Sequence, residues 1–248
     1  MSTTNTPDDE ETDSTIEQLQ EATSVSQLDA ILEENDVTWQ RLGGEDSNNI
    51  GIVDMGGSAE QAFFERVSNG EDAVIEKKAL KEYGDIETAI EELPDNPRDA
   101  VAELWNIPDG DLQNLSQEER GQLADQIQLR LLESGTDERP TIDVEDNGIG
   151  QHPDNFTDTF LSLNSDNKNT KPFLIGRYGQ GGTNVYRFAE YTIIISRSHE
   201  GGPIGWTVVK RDRDYELVDG NRVDTYVYAT NTDGEIFEVD APEELDFE

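Results

Sequence analysis

The stretch from Glu65 to Ala73, with the sequence ERVSNGEDA, is the feature that most constrains the fold. Its polar residues Glu65, Asn69 and Asp72 are spaced i, i+4 and i+7, so on a helix they form one polar stripe. Apolar surface for the other sides of this helix comes from Phe63, Phe64, Val67, Val74 and Ile75. Most polar stripes on helices face water, but a stripe that lines a binding site has the same pattern. The remainder of the sequence has to separate these two interpretations.

The charge of the chain limits where it can work. Its 248 residues include 56 acidic and 18 basic side chains, which gives a formal net charge of −38. A surface of this kind repels itself in dilute salt and needs concentrated counter-ions to stay compact. We therefore expect a cytoplasmic protein of a salt-loving organism. Apolar patterns that recur from residue 50 to residue 230 argue against an intrinsically disordered acidic chain.

Several classes of protein are disfavoured by composition. The absence of Cys excludes disulfides and thiolate metal sites, and no apolar run approaches the roughly 20 residues that span a bilayer. Direct binding of nucleic acid by the bulk surface is not expected, because cations to neutralise phosphates are lacking. A phosphate-bearing ligand has to be met locally, and one region could do this. Between Lys171 and Lys210 five bases (Lys171, Arg177, Arg187, Arg197, Lys210) face only two acids (Glu190, Glu200).

The two ends of the chain are predicted to be peripheral. We expect 1–13 to be disordered and 14–45 to form a short helical extension. Its first helix would begin with the capping box Ser14-x-x-Glu17, and its second near Ser26, with Leu28, Ile31 and Leu32 on one face. At the other end, 233–248 is predicted to be a solvated acidic tail.

Between these ends, 46–232 is predicted to form one domain. Gly43-Gly44 and Asn48-Asn49 would break the pattern before a long helix from about Ser58 to Leu80. We interpret 81–139 as a helical insertion or scaffold without chemistry. Its last helix would be capped by Ser116 and Glu119, and Gly135 would end it. Leu123, Ile127 and Leu131 would line one face of that helix.

Two glycine motifs follow the scaffold. Thr141–Glu145 alternates like a strand and leads into Asp146-Asn147-Gly148-Ile149-Gly150, a sequence typical of a turn. A polar stretch from 151 to 171 then precedes the glycine-rich sequence GRYGQGG of 176–182. Three further strands are predicted at 191–197, 206–210 and 223–229, with a tight turn at 219–221 between the last two.

Three motifs thus occur in a fixed order: Glu-x-x-x-Asn-x-x-Asp-Ala, then Asp-x-Gly-x-Gly, then Gly-x-x-Gly-x-Gly. Each is weak alone, but their order and the polar stretch between the last two make them strong together. The set resembles the ATPase superfamily of gyrases, heat-shock chaperones, histidine kinases and mismatch-repair proteins (GHKL), whose nucleotide-binding unit is the Bergerat fold. The resemblance covers roughly 48–230 and is looser over 77–139.

The resemblance implies a role for each motif. Asp146 would accept a hydrogen bond from the exocyclic amine of adenine, while Gly148 and Gly150 let the backbone approach the base. Asn69 would be the protein ligand of Mg²⁺, and Glu65 would act as general base toward the attacking water. Asp72 would support the adenine end of the pocket. The glycine-rich loop, through Gly176, Gly179 and Gly181, would offer N–H donors to the triphosphate.

The segment between the glycine motifs would be a lid over the nucleotide, spanning 151–175. Its sequence most resembles the lid of microrchidia and heat-shock-chaperone members. Lys168 or Lys171 could reach a phosphate, although both also fit as solvated loop lysines.

Glu65 distinguishes branches of the superfamily. Histidine kinases characteristically have a non-acid at this position and need no activated water, so the resemblance favours a hydrolase. His152 and His199 lie on no evident dimerisation helix, and we interpret both as structural or solvated. One departure limits the comparison. Hydrolytic members use a Lys of a following domain, whereas the last 18 residues here contain no base.

The sequence therefore predicts an α+β, two-layer sandwich with a mixed, mostly antiparallel sheet and helices on one face. Mg²⁺-dependent ATP binding and slow hydrolysis would close the lid and drive a conformational or dimerisation switch. The partner in this switch would be a second copy of the chain in a homodimer, a further domain or another protein. The alternatives are a nucleotide-sensing module without hydrolysis, the ATPase fragment of a larger protein, or an acidic scaffold with a degenerate pocket.

Overall fold

A computed structural model describes residues 15–44, 48–55, 57–132, 140–163, 171–176 and 183–240. The helices are α1 (15–21), α2 (Val25–Glu34), α3 (Asn49–Val53), α4 (Ala59–Tyr83), α5 (Ile86–Glu92), α6 (Pro97–Leu104) and α7 (Gln117–Ala124). The strands are β1 (Thr38–Arg41), β2 (Ile127–Leu132), β3 (Thr141–Asp146), β4 (Tyr191–Ser196), β5 (Ile204–Glu216), β6 (Arg222–Thr230) and β7 (Phe237–Val239). None of the helices in these parts of the chain combines the length and apolarity needed to cross a membrane.

The strands form one five-stranded sheet and one separate hairpin. The large sheet has the order β1-β6-β5-β4, and β7 pairs with the beginning of β5. β2 and β3 pair only with each other among the described strands. Every pairing in the described parts is antiparallel, so the α+β class expected from the sequence is confirmed.

The large sheet is covered on both faces because its strands alternate apolar residues. Trp206 and Val208 of β5 pack in a cluster with Leu28, Ile31 and Leu32 of α2. The neighbouring Val209 belongs to a second cluster, which contains residues of α3, β6 and the segments 156–163 and 185–186. The N-terminal helices therefore add a layer on the face opposite to α3.

A third cluster surrounds the second half of α4. It joins Ile75 and Ala79 of α4 to residues of α5 and α6, and to the fully covered Phe173 and Leu174. The segment 171–176 is thereby fixed against α4, which makes α4 the support of the candidate site.

Four local predictions are confirmed by these elements. Helix α2 has Leu28, Ile31 and Leu32 buried, as expected from their spacing, and α4 begins after the capping residue Ser58. The strand predicted before the first glycine motif is β3. The later predicted strands are β4, β5 and β6, with a turn at 217–221 between the last two.

The helix expected to run from Ser116 to Gly135 is wrong beyond Ala124. Ser116 and Glu119 do form the capping box, but the chain turns at 125–126 and continues as β2. Residues 126–131 alternate polar and apolar side chains, a period that suits a strand, and β3 supplies the partner for its backbone. Gly135 lies outside the described residues.

Both peripheral segments are more integrated than expected. The supposed N-terminal extension contributes β1, which pairs with β6 in the large sheet. Asn48-Asn49 does not only break the pattern, because Asn48 caps α3 and Asn49 begins it. In the supposed acidic tail, β7 pairs with β5, and the Phe237 ring stacks on Trp206 with centroids 4.0 Å apart. A solvated end is therefore wrong for 236–239.

Candidate functional site

The site is built on helix α4, whose start and end are both capped. Ser58 Oγ accepts a hydrogen bond from Gln61 N, and the Gln61 side chain accepts one from Ser58 N. Gly84 ends the helix in the left-handed conformation that glycine adopts without strain. This helix carries Glu65, Asn69 and Asp72 in the stripe expected from their spacing.

Asp72 holds the chain that leads into the glycine-rich stretch. Its side chain is 2% exposed. Its Oδ1 accepts a hydrogen bond from Ile175 N at 2.6 Å, and its Oδ2 accepts one from Gly176 N at 3.0 Å. A carboxylate that accepts two backbone N–H groups is well stabilised when buried. The expected support of the base-binding end is thus, in the structure, an anchor for 175–176.

The turn after β3 closes onto the same helix. Asp146 Oδ1 accepts a hydrogen bond from Gly148 N at 2.9 Å, and Ile149 N donates to Ala73 O at 3.1 Å. A Cβ on Gly148 would lie 2.4 Å from Ala73 Cβ, and a Cβ on Gly70 would lie 3.2 Å from Asp146 Cβ. Glycine at these two positions lets the Asp146 turn approach the helix backbone.

Gly150 carries the motif past the end of β4. Its φ is +56°, and a Cβ there would lie 1.7 Å from Arg197 O. On either side, His199 N donates to Ile149 O at 2.8 Å and Gln151 N donates to Ser196 Oγ at 2.9 Å. Residues 149–151 therefore join α4 to the large sheet, and glycine is required at the crossing.

Asp146 is exposed to solvent, yet protein atoms lie close around its carboxyl group. Surrounding protein atoms displace part of its hydration, and this desolvation raises the pKa of Asp146. The N–H of Gly148 and the ammonium group of Lys77 act in the opposite direction, and the nearby Glu145 adds to the rise. An accessible carboxyl group in such surroundings is typical of a binding pocket.

Glu65 and Asn69 lie on the α4 stripe nearer the start of the helix, and both are half-buried. With a rise of about 1.5 Å per residue, Glu65 lies about 10 Å from Asp72 along the axis. Phe64 was expected to add apolar packing surface, but its side chain is 65% exposed. The stripe thus runs along α4 from the level of the Asp146 turn toward the exposed Phe64.

Helix α4 also contacts the chain beyond the glycine-rich stretch. The Arg66 guanidinium lies over the Tyr186 ring, 5.8 Å from its centroid. Asp72 binds 175–176, so the two chain segments that flank 177–182 contact α4 at positions 72 and 66. These positions are about 9 Å apart along the axis, close to the length of the polar stripe from Glu65 to Asp72.

Several residues expected at the site fall in other places. Lys171 forms an ion pair with Glu76 of α4, and the two side chains are only 21% and 13% exposed. Lys168, Gly179 and Gly181 lie outside the described residues, as do 164–170 of the expected lid. Within 151–163, Phe156 and Leu161 are buried in the second sheet cluster. That half of the expected lid is packed against the sheet.

Both histidines lie in loops, at the beginning of a short 3₁₀ turn and after β4. His152 Nδ1 accepts from Asp154 N at 3.4 Å, and His199 is exposed. These positions agree with a structural or solvated role.

Sequence reasoning missed three residues of the site: Gly70, Glu76 and Lys77. Glu76 continues the i+3/i+4 spacing of the stripe by one more turn, so the same pattern could have identified it. Gly70 and Lys77 give no such signal, because their roles depend on the turn after β3 lying against α4. No group of three or more acidic or histidine side chains in the described ranges is arranged to hold a metal ion.

The comparisons with known proteins give no family. No protein-family model, no curated protein and no solved structure matches this chain.

Proposed function

We propose that the chain is an ATP-binding module of the GHKL type, with Mg²⁺-dependent slow hydrolysis that resets a conformational or dimerisation switch. One observation carries the proposal. Two segments distant in sequence, 146–150 and 171–176, contact α4 beside the first motif; one is the second motif, and the other ends at Gly176, the first glycine of the third motif. A polar stripe that only faced water would not gather these segments.

The base end of the nucleotide would lie at Asp146. This carboxylate is accessible, keeps acceptor capacity beyond its bond to Gly148, and is surrounded by the glycines that leave room beside α4. An exocyclic amine is a donor that matches it. Because Gly70 and Gly148 have no side chain, a flat base could approach the backbone closely at these two positions.

The phosphate end would lie along the stripe toward Glu65. The described segments on either side of 177–182 contact α4 at Asp72 and Arg66. Asn69 would offer the amide oxygen that holds Mg²⁺, which would neutralise phosphate charge and complete its shell with water. Glu65, one turn earlier, would take the proton of the attacking water.

The switch would act through Asp72. Because this carboxylate binds Ile175 N and Gly176 N, α4 and the beginning of the glycine-rich stretch are mechanically joined. Nucleotide bound against the stripe would shift this anchored segment and alter the surface offered to a second copy or to another protein.

A non-hydrolysing sensor is the second candidate, and one contact favours it. Lys171, which could have reached a phosphate, is engaged with Glu76 at the other end of the stripe. Without that cation, nucleotide binding would still move the chain but turnover would be slow or absent.

We further propose that the protein works in the concentrated salt of a cytoplasm, with ATP and a protein as its partners and not nucleic acid. The net charge of −38 supports the need for salt and the exclusion of nucleic acid. Dialysis from molar to dilute KCl should unfold or loosen the chain, as followed by circular dichroism.

The test is a titration of ATP in molar KCl, with and without Mg²⁺, in which heat of binding and phosphate release are followed together. Glu65→Ala should keep binding and abolish release. Asp146→Asn should weaken binding by about 10- to 100-fold, since a hydrogen bond to a charged group is lost. Glu145→Gln removes the same charge from the adjacent position, which binds Arg130 on the other face of the hairpin, and should leave affinity unchanged.

Each outcome has a consequence. Release that persists in Glu65→Ala would remove the general-base assignment. Binding without release in the wild type would favour the sensor. If ATP did not bind in molar salt with Mg²⁺, the proposed function would be wrong.

A further inference from the structure

Lys77 lies on α4 one turn beyond Ala73 and reaches the turn that carries Asp146. Its Nζ donates a hydrogen bond to Asn147 O at 3.1 Å. Two turns of the helix therefore hold this segment, since Ile149 N donates to Ala73 O at 3.1 Å. Asn147 itself is held from the other side, because its N–H donates to Gln126 O at 2.9 Å.

The ammonium group also lowers the pKa of Asp146, although burial and the hydrogen bond from Gly148 N have larger effects on that pKa. From α4, Lys77 attracts the carboxylate, and from β3, Glu145 repels it. On β2 the residue paired with Asp146 is Ile127, which has no charge, and Arg130 of that strand binds Asp143 and Glu145 instead. Among the groups of the described residues that act on Asp146, Lys77 is thus the cation.

We propose that Lys77 is a positioning residue for nucleotide recognition: it fixes the Asp146 turn to α4 and places its positive charge beside this turn. This inference rests on the proposed function, in which Asp146 accepts the exocyclic amine of the base. It assigns to Lys77 a task that the three motifs do not contain.

The next residue on the helix, Lys78, contacts a neighbouring side chain of the same helix and not the Asp146 turn. Lys78 Nζ lies 3.8 Å from Glu82 Oε2 in an i,i+4 pair on the outer side of α4. Such surface pairs contribute little. Lys78→Met is therefore the matched control, with the same change one position away.

Three variants separate the two tasks of Lys77. Lys77→Met removes the donor and the charge, Lys77→Gln keeps a donor without charge, and Lys77→Arg keeps both. At neutral pH, ATP should bind about tenfold more weakly to Lys77→Met. Lys77→Arg and Lys78→Met should bind ATP within about twofold of the wild type. This change is smaller than the loss of one hydrogen bond produces.

The pH profile distinguishes this role from a merely structural one. Affinity should fall on acidification as Asp146 is protonated and loses its acceptor form. In Lys77→Met and Lys77→Gln this fall should begin at higher pH, because the charge that lowers the pKa of Asp146 is gone. Titration of ATP itself is common to all variants and cancels in the comparison.

The titration of Asp146 in the protein without nucleotide, followed by carboxyl-carbon NMR, makes the result independent of ATP. Its midpoint should rise in Lys77→Met and Lys77→Gln but not in Lys78→Met. If the midpoint and the affinity profile of Lys77→Met both matched the wild type, the proposal would be overturned. If the wild type failed to bind ATP, the proposed function would fail, and the Asp146 titration alone would still decide whether Lys77 acts on this carboxylate.

Discussion

Two polar side chains in different regions of the molecule, Asn49 and Asp146, differ in burial and in how many of their hydrogen bonds are made within the protein. Asn49, at the beginning of α3, is 1% exposed. Its Nδ2 donates to Leu42 O and Tyr226 O, and its Oδ1 accepts from Thr225 Oγ1 and Tyr226 N, all at 2.9–3.0 Å. Asp146 is exposed to solvent, and within the described residues its carboxyl group accepts one hydrogen bond, from Gly148 N.

The difference indicates what each group is for. A buried amide with all four hydrogen bonds made inside the protein has no capacity left for a ligand. Its hydrogen bonds stabilise the contact between α3 and β6. An exposed carboxylate that has lost part of its hydration and keeps an unused oxygen lowers stability when it is ionised, so its presence is better explained by recognition. Asp72 combines features of both cases. It is buried like Asn49, but it is a carboxylate like Asp146 and binds the backbone of 175–176.

The largest effect should come from Asn49→Ala. The change leaves Thr225 Oγ1 and Tyr226 N without their partner in a buried place, and we expect the free energy of unfolding to fall by about 4 kcal/mol. Urea denaturation in molar KCl measures this. ATP affinity of the folded fraction should be unchanged.

The neighbouring Asn48 provides the control for that change. It only caps α3, by accepting from Gly51 N at 3.3 Å, so Asn48→Ala should cost about 1 kcal/mol. If the two alanine variants had equal stability, the four hydrogen bonds of Asn49 would not be the reason for its burial.

Gly148→Ala tests how closely the open site is tied to α4. The added Cβ would overlap Ala73 Cβ and the Ala73 carbonyl carbon, 2.4 and 2.6 Å away, so the turn has to move off the helix. We expect a loss of about 3 kcal/mol in unfolding free energy together with loss of ATP binding.

Gly121→Ala is the matched glycine substitution for this test. Gly121 lies in α7 with no atom within 4 Å of the added Cβ, and alanine should stabilise it by about 0.5–1 kcal/mol. A Gly148→Ala protein as stable as the wild type would mean that the turn is not packed against Ala73.

Much of the fold could be predicted because local patterns and tertiary packing agree. The Ser58 cap and the stripe from Glu65 to Asp72 fix α4, and period-two alternation identifies β3 and the later strands. The same rule failed for β2, where Leu123, Ile127 and Leu131 also satisfy a helical spacing. Pairing with β3 decides in favour of the strand, and that contact is not visible in a local pattern.

The residues of the candidate site could be picked out by motif, but their contacts could not. Asp146 and Gly148 lie beside α4 and Gly150 lies against the end of β4, yet nothing in the sequence indicates that Asp72 binds Ile175 N and Gly176 N. Lys77 was missed for a similar reason: its partner is a backbone carbonyl 70 residues away.

Asp72→Asn should give an intermediate effect. An amide oxygen can accept from Ile175 N, but the amide nitrogen would face Gly176 N, so one of two hydrogen bonds to a charged group is lost. We expect unfolding free energy to fall by about 2 kcal/mol and ATP affinity to fall with it.

Glu82→Gln serves as the control for Asp72→Asn, because it removes a carboxylate from the exposed end of the same helix. It should change stability by less than about 0.5 kcal/mol. Unchanged protection of the Ile175 and Gly176 amides against hydrogen exchange in Asp72→Asn would contradict the anchoring role.

The smallest effect on stability should come from Asp146→Asn, although the effect on ATP binding is large. The amide oxygen can still accept from Gly148 N, so unfolding free energy at neutral pH should not fall by more than about 0.5 kcal/mol. Desolvation raises the pKa of Asp146 above its unfolded value, so its ionisation disfavours the folded state.

The sign of this linkage gives the measurement. The wild type should lose stability relative to Asp146→Asn as the pH rises from the unfolded pKa of about 4 through the folded pKa, and the two should converge below that range. Paired urea curves across this range, in constant KCl, isolate the difference from the many other carboxylates. If Asp146→Asn lost as much stability at neutral pH as Asp72→Asn, Asp146 would be a structural group like Asn49, and the contrast between the saturated and the open site would fail.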